Sequence, residues 1–258
     1  MKTRDDDPAT ILDAPPMRAL VTRPRAEAVE LAAALAARRI EAVIEPLIEI
    51  RYRDAPVPDL AGAQAVLCTS ANGVRALARV SAERGVPLFA VGEATAARAR
   101  AEGFVAIASA GGNVGDLARL VQRRMQPGAG HLLHVAGSAV AGDLAGELAA
   151  SGFAVERAVL YEAVAAEALS QATIARLISG AVDLALFFSP RTAAIFARLA
   201  IEAGVADALG RVIAISISAA ADAVLSGLGF GARAIAAAPT QAALLDRIDS
   251  LLVASPLP

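Results

Sequence analysis

The sequence reads one turn twice. Leu67–Arg79 (LCTSANGVRALAR) and Leu186–Arg198 (LFFSPRTAAIFAR) each place a serine, Ser70 or Ser189, where an apolar strand gives way to an alanine-rich helix. Fainter echoes surround this pair. Ala19–Pro24 (ALVTRP) answers to Leu133–Ser138 (LHVAGS), and Phe89–Thr95 (FAVGEAT) to Ile213–Ala219 (IAISISA). The matching segments lie about half the chain apart, a period longer than that of solenoid repeats, so the sequence reads as an old tandem duplication. A strand-to-helix turn also aims free backbone N–H groups and a hydroxyl past the strand end, a setting that suits negatively charged oxygen.

Between these landmarks, short Val/Ile/Leu/Phe runs alternate with helical stretches, the pattern of a parallel sheet with helices on both faces. Strands are expected near 18–22, 42–46, 64–69, 87–91, 104–108, 131–136, 154–158, 183–188, 212–216 and 233–237. Two extended segments break the alternation at equivalent places in the two copies: 47–53 (LIEIRYR) and 158–164 (AVLYEAV). If the chain crosses at the first and returns at the second, a first α/β domain comprises 17–46 plus 165–254, and a second comprises 54–157. Segments 47–53 and 158–164 then form a connecting two-stranded ladder, and each repeat copy lends strands to both domains. Residues 1–16, acidic and closed by Pro15-Pro16, read as a flexible N-terminal tail.

Composition narrows the class of function. Of 258 residues 56% are hydrophobic but only 3% aromatic, so the apolar content is chiefly alanine and small aliphatics. The longest stretch free of Asp, Glu, Lys and Arg, 125–142, holds two His, a Pro and several Gly and does not suit a bilayer. With no secretory signal, and one cysteine that excludes an intrachain disulfide, the expected location is cytoplasmic. A formal net charge of −2 with scattered arginines argues against nucleic acid but leaves room for a small anionic ligand. Cys68 is expected to pack inertly in its strand. His131 and His134, the only histidines, have no metal-ligand spacing, and Asn113 reads as a helix cap rather than part of a dinucleotide loop.

Taken in order and spacing, LVTRP (20–24), TSANG (69–73), AVGEAT (90–95), LYE (160–162) and FFSP (187–190) make the chain resemble the uroporphyrinogen-III synthase family from about Arg18 to Leu252. The resemblance implies two flavodoxin-like parallel-sheet domains joined by a two-stranded β-ladder, with the active site in the inter-domain cleft. It implies closure of hydroxymethylbilane to uroporphyrinogen III, with loss of water and inversion of the terminal pyrrole ring. No cofactor and no metal are expected. The implied ligand is a linear tetrapyrrole with eight carboxylates, and a monomer is expected. Contact with hydroxymethylbilane synthase, which supplies that substrate, is left open by the sequence.

On this resemblance, helix N-termini after Thr22, Ser70, Gly92, Ser189 and Ser216 are expected to receive substrate carboxylates. Tyr161 matches the family's tyrosine and is the expected proton donor to the departing hydroxyl. Thr95 matches a family threonine near the ligand. In the second copy the hydroxyl comes from either Ser216 or Ser218, because Ser216-Ile-Ser218 replaces the proline turn common in relatives. Arg23 and Arg191 stand at the mouths of their turns, and Asn72 and Gly73 leave room for close backbone approach. Gly137-Ser138 stand where relatives often carry an arginine-glycine pair, which weakens the case for that loop. Tyr52 is read as structural, and Glu93 and Glu162 are left out of the site because like charge would repel the substrate. The bland reading of Ser70, Ser189 and Ser218 is that they are N-caps. A competing function is a non-catalytic two-domain hinge module that binds a small anion or tetrapyrrole and has no use for Tyr161.

Overall fold

The computed structural model describes residues 16–139 and 142–254. The expectation of a flexible tail over 1–16 therefore falls almost wholly outside the described residues. The described residues fall into two compact units, one from the 1–49 and 165–258 portions of the chain and the other from the 50–164 portion.

The first unit holds a five-stranded sheet of β1 (Met17–Val21), β2 (Ile40–Ile44), β9 (Leu184–Phe187), β10 (Ile213–Ser216) and β11 (Ala232–Ile235). Its spatial order is β11-β10-β9-β1-β2, and every pairing is parallel. The central strand β9 is buried at all four positions. That is why its sequence is an uninterrupted apolar run instead of an alternation. Helices α1 (Arg25–Ala36) and α9 (Gln241–Ala254) seat Leu31, Leu35, Leu244 and Ile248 on one face. Across the sheet, α7 (Pro190–Glu202) brings Phe196 edge-on to Phe187 at 5.2 Å between ring centroids.

The second unit is built on β3 (Ile48–Tyr52), β4 (Ala63–Cys68), β5 (Leu88–Ala90), β6 (Ile107–Ser109), β7 (His131–Gly137) and β8 (Val155–Ala165), in the order β3-β8-β7-β4-β5-β6. From β8 to β6 all pairings are parallel. β3 pairs along the outer edge of β8, with Arg53 N–H donating to Leu160 C=O and Ala166 N–H to Leu47 C=O. Because residue numbers rise on one strand as they fall on the other, this pair is antiparallel. Helices α2 (Ala71–Val80) and α3 (Glu93–Ala101) cover one face, and α4 (Val114–Arg124) and α5 (Leu144–Ala149) the other.

Two expectations are corrected. The expected pairing of 47–53 with 158–164 is present, as β3 against β8, but 158–164 is not a strand of its own: it is the second half of the 11-residue strand β8, which also pairs with β7. Nothing in 155–165, neither Gly nor Pro, interrupts the extended run. The strand expected from 104 begins only at Ile107 because Phe104 closes α3. Gly103, at φ +89°, donates to Arg100 C=O and Phe104 to Ala99 C=O, the paired bonds of a Schellman C-cap that tuck Phe104 under the helix. Among the described residues no helix is long and apolar enough to cross a membrane.

Candidate functional site

Ser70 lies two residues beyond the end of β4, at the N-cap of α2. Its Oγ accepts the Gly73 N–H at 3.2 Å and lies 2.7 Å from the phenol oxygen of Tyr161, which projects from β8. The strand order explains the meeting: β7 lies between β4 and β8, and its last residue, Gly137, has no side chain to separate them. A Cβ on Gly137 would sit 3.0 Å from two carbons of the Tyr161 ring. The register also slips there, Ala136 pairing with Val159 but Gly137 with Tyr161, a bulge that re-aims the tyrosine. Tyr161 is 8% exposed. Burial raises its phenol above the ordinary tyrosine range, and the Ser70 hydrogen bond only partly offsets this. The phenol is therefore protonated at neutral pH.

The other predicted residues of this unit fall into place around the same sheet end. Gly92, extended at φ −162°, is the N-cap of α3, and Thr95 in the first turn is 5% exposed. Asn72 Oδ1 accepts from Arg75. The close approach at Gly73 is to the C=O of Val135, which a Cβ would meet at 3.1 Å, so this glycine serves helix–sheet packing. Cys68 is fully buried beneath the pair, its thiol pushed up to about 12 by burial alone, so it stays an unreactive thiol.

In the first unit, Ser189 caps α7, accepting from Thr192 N–H at 3.1 Å, while the Thr192 hydroxyl folds back on the Ser189 carbonyl. Ser218 caps α8 (Ala219–Val224) in the same way through Ala221 N–H. Arg191 is exposed in the first turn of α7. The guanidinium of Arg23 lies 4.3 Å from the centre of the Phe188 ring and donates to Gln241.

Thr22 and Ser216 are placed differently from expectation. Both are 0% exposed. The Thr22 hydroxyl donates to Leu186 C=O at 2.8 Å and ties β1 to β9, and α1 starts later, after Pro24. Ser216 ends β10 with its Oγ unpartnered inside the unit, so of the two serines it is Ser218 that opens a helix. Thr22 and Ser216 both sit at the end of an interior strand of a sheet covered on both faces, so their side chains are enclosed.

Sequence reasoning passes over two participants. Gly137 forms the floor under Tyr161. Arg157, on β8, donates through Nη2 to the carbonyls of both Gly137 and Ser138, at 2.8 and 3.1 Å. The parallel register, which seats Arg157 opposite His134, is what brings it to that strand end, and no local motif announces it. Among the described residues no group of three or more His, Cys, Asp or Glu is arranged to hold a metal ion.

Two predominantly parallel sheets of equivalent order, a part-buried hydroxyl pair at one strand end and serine-capped helices in both units define a two-domain α/β protein of the flavodoxin-like kind. The model of the family described as uroporphyrinogen-III synthase HemD matches residues 29–246, and the chain belongs to that family, enzymes of porphyrin biosynthesis. Two solved structures share the fold. Uroporphyrinogen-III synthetase from Helicobacter pylori is 18% identical, with a TM-score of 0.58 over 92% of this chain and 99% of that one. A mutant uroporphyrinogen III synthase from the extremely thermophilic bacterium Thermus thermophilus is 17% identical, with a TM-score of 0.53 over 92% and 98%. No curated protein matches the sequence.

Proposed function

We propose that the chain is a uroporphyrinogen-III synthase that cyclises hydroxymethylbilane to uroporphyrinogen III, releasing water and inverting the terminal ring. The observation that carries this reading beyond family membership is the Ser70–Tyr161 pair, a protonated phenol held at a helix N-terminus.

In the proposed reaction the phenol protonates the hydroxyl of the substrate's hydroxymethyl group, and the C–O bond breaks as a pyrrole nitrogen lone pair pushes the oxygen out as water. The azafulvene left behind is attacked by the substituted carbon of the terminal ring. A spiro intermediate then opens and recloses with that ring inverted. One proton is lost from carbon as the new pyrrole regains aromaticity, which balances the proton spent on water. Ser70 assists by donating to the phenol oxygen, leaving the Tyr161 proton free for the substrate and steadying the tyrosinate that forms. A positioned acid of this kind contributes about 10² to 10⁴ in rate.

Because the azafulvene reacts readily with any nearby pyrrole carbon, the enzyme's main task is orientation. The N-termini of α2, α3 and α7 at Ser70, Gly92 and Ser189, with Thr95, Arg191 and Ser218, are the proposed carboxylate anchors. Each helix end contributes about 0.3–1 kcal/mol from its dipole. The test is direct. Incubating the purified protein with freshly prepared hydroxymethylbilane and separating the oxidised products is expected to give the type III isomer, whereas type I alone would refute the assignment.

A further inference from the structure

Tyr161 owes its position in part to contacts that its own side chain does not make. Its ring lies against the Cα of Gly137, so the phenol can reach Ser70 only while that backbone stays where it is. Gly137 is the last residue of β7, where the ladder to β8 ends. Two links hold this end. The Ser138 N–H donates to the carbonyl of Tyr161 at 2.9 Å, and Arg157 Nη2 grips the carbonyls of Gly137 and Ser138. Charge-assisted bonds to carbonyls are the stronger kind, and two from one nitrogen fix the orientation of two successive peptide groups.

Arg157 has few other ties: among the described residues it has no carboxylate within ion-pairing distance, and its hydrogen bonds are those two carbonyls. His134, its register partner on β7, is 4% exposed with both ring nitrogens unpartnered, so it offers no competing acceptor contact. An arginine spent wholly on the strand end beside a catalytic tyrosine points to a role in geometry.

We infer that Arg157 is a positioning residue: by clamping the Gly137–Ser138 carbonyls it holds the backbone floor on which the Tyr161 ring rests and keeps the phenol on Ser70. The inference rests on the proposed role of Tyr161 for its catalytic consequence, though not for its structural one.

The chain has two tyrosines and no tryptophan, so Tyr52→Phe leaves Tyr161 as the sole phenolic reporter. In that background, ultraviolet absorbance of tyrosinate titrates Tyr161 alone. With Arg157→Met, the strand end loosens, water reaches the phenol, and its ionisation is expected to move down toward the ordinary tyrosine value. Turnover of hydroxymethylbilane is expected to lose up to about 10²-fold in kcat, the scale of a small misplacement of a reacting group, with little change in KM. Arg157→Lys, which keeps a charged donor, should restore part of both. A merely stabilising arginine would lower the melting temperature and leave the Tyr161 titration where it was, and that result would overturn the inference. If Arg157→Met fails to fold, Gly137→Ala, which sets a Cβ 3.0 Å from the ring, must shift the same titration, and an unmoved curve again overturns it. If instead Tyr161→Phe keeps full turnover while Arg157→Met still shifts the titration, the proposed acid is wrong and the clamp stands.

Discussion

At the level of single residues, Ser70 and Ser189 look interchangeable in sequence and have different partners in the structure. Both cap a helix, and replacing either by alanine is expected to cost about 1 kcal/mol of stability. Only Ser70 also holds a phenol. Ser70→Ala should therefore lower kcat more than Ser189→Ala does, and steady-state kinetics beside urea unfolding of the two variants separates the phenol contact from the cap that the two serines share. Tyr161→Phe keeps the ring on Gly137 and removes only the hydroxyl. It is expected to cost about 10²-fold or more in kcat, with about 1 kcal/mol lost from the Ser70 bond. The capping serines are legible in the sequence because residue type and spacing carry them, whereas Tyr161 stands out there only through the family resemblance. Gly137, Arg157 and the enclosure of Thr22 and Ser216 are not legible, because each depends on which strand lies alongside, and that is decided by pairing across distant segments.

At the level of elements, alternating apolar runs and alanine-rich helices reveal the strands and helices, and the buried polar contacts that lock them together stay hidden. Glu45, at the end of β2, is 8% exposed and accepts from Ser170 N–H and Oγ and from Thr173 Oγ1, at 2.7, 2.7 and 2.8 Å, binding the start of α6 (Gln171–Ile178) to the sheet. Glu45→Ala strands three donors at a helix N-terminus. A loss of roughly 1.5–3 kcal/mol in urea unfolding is expected, since the lost bonds involve a charge. His134 on β7 sets a pH dependence. Burial, and then the charge of Arg157, push its pKa down to about 4 from an ordinary 6.5. Between those values the unfolded chain takes up a proton that the folded chain refuses. The stability it supports is thus complete above about pH 6.5 and declines as pH falls toward 4, by up to about 3 kcal/mol. Unfolding measured across that window should fall less steeply in His134→Leu than in the parent, and parallel curves would exclude the histidine as the source.

For the whole molecule, the two sheets have one plan executed with exchanged halves. The first unit runs β2-β1-β9-β10-β11 and the second β8-β7-β4-β5-β6, so β1–β2 of one repeat copy complete the sheet of β9–β11 from the other, and β7–β8 complete that of β4–β6. Repetition in the sequence makes the duplication visible, while the exchange is legible only through the odd extended segments at 47–53 and 158–164. The exchange predicts where the chain can be cut. The apolar clusters respect the units: Val66, Leu77, Leu133 and Leu160 pack together in the second, and Leu31, Leu186, Ile215 and Leu244 in the first. A fragment spanning 48–165 keeps β3 to β8 entire and should unfold cooperatively in urea, as a domain with its own core does. In the remainder, Ala166 N–H donates to Leu47 C=O at 3.0 Å, so the two ends already lie together. A short glycine-serine link from 47 to 166 should close the first unit into a second cooperative folder. A cut at the sequence repeat, after residue 130, is expected to behave worse. It deprives β1 of β9 and β4 of β7, the central pairings that bury Leu20 beside Ala185 and Val66 beside Leu133. Cooperative urea transitions from the repeat fragments, and none from the 48–165 fragment, would mean that the units do not carry separate stability.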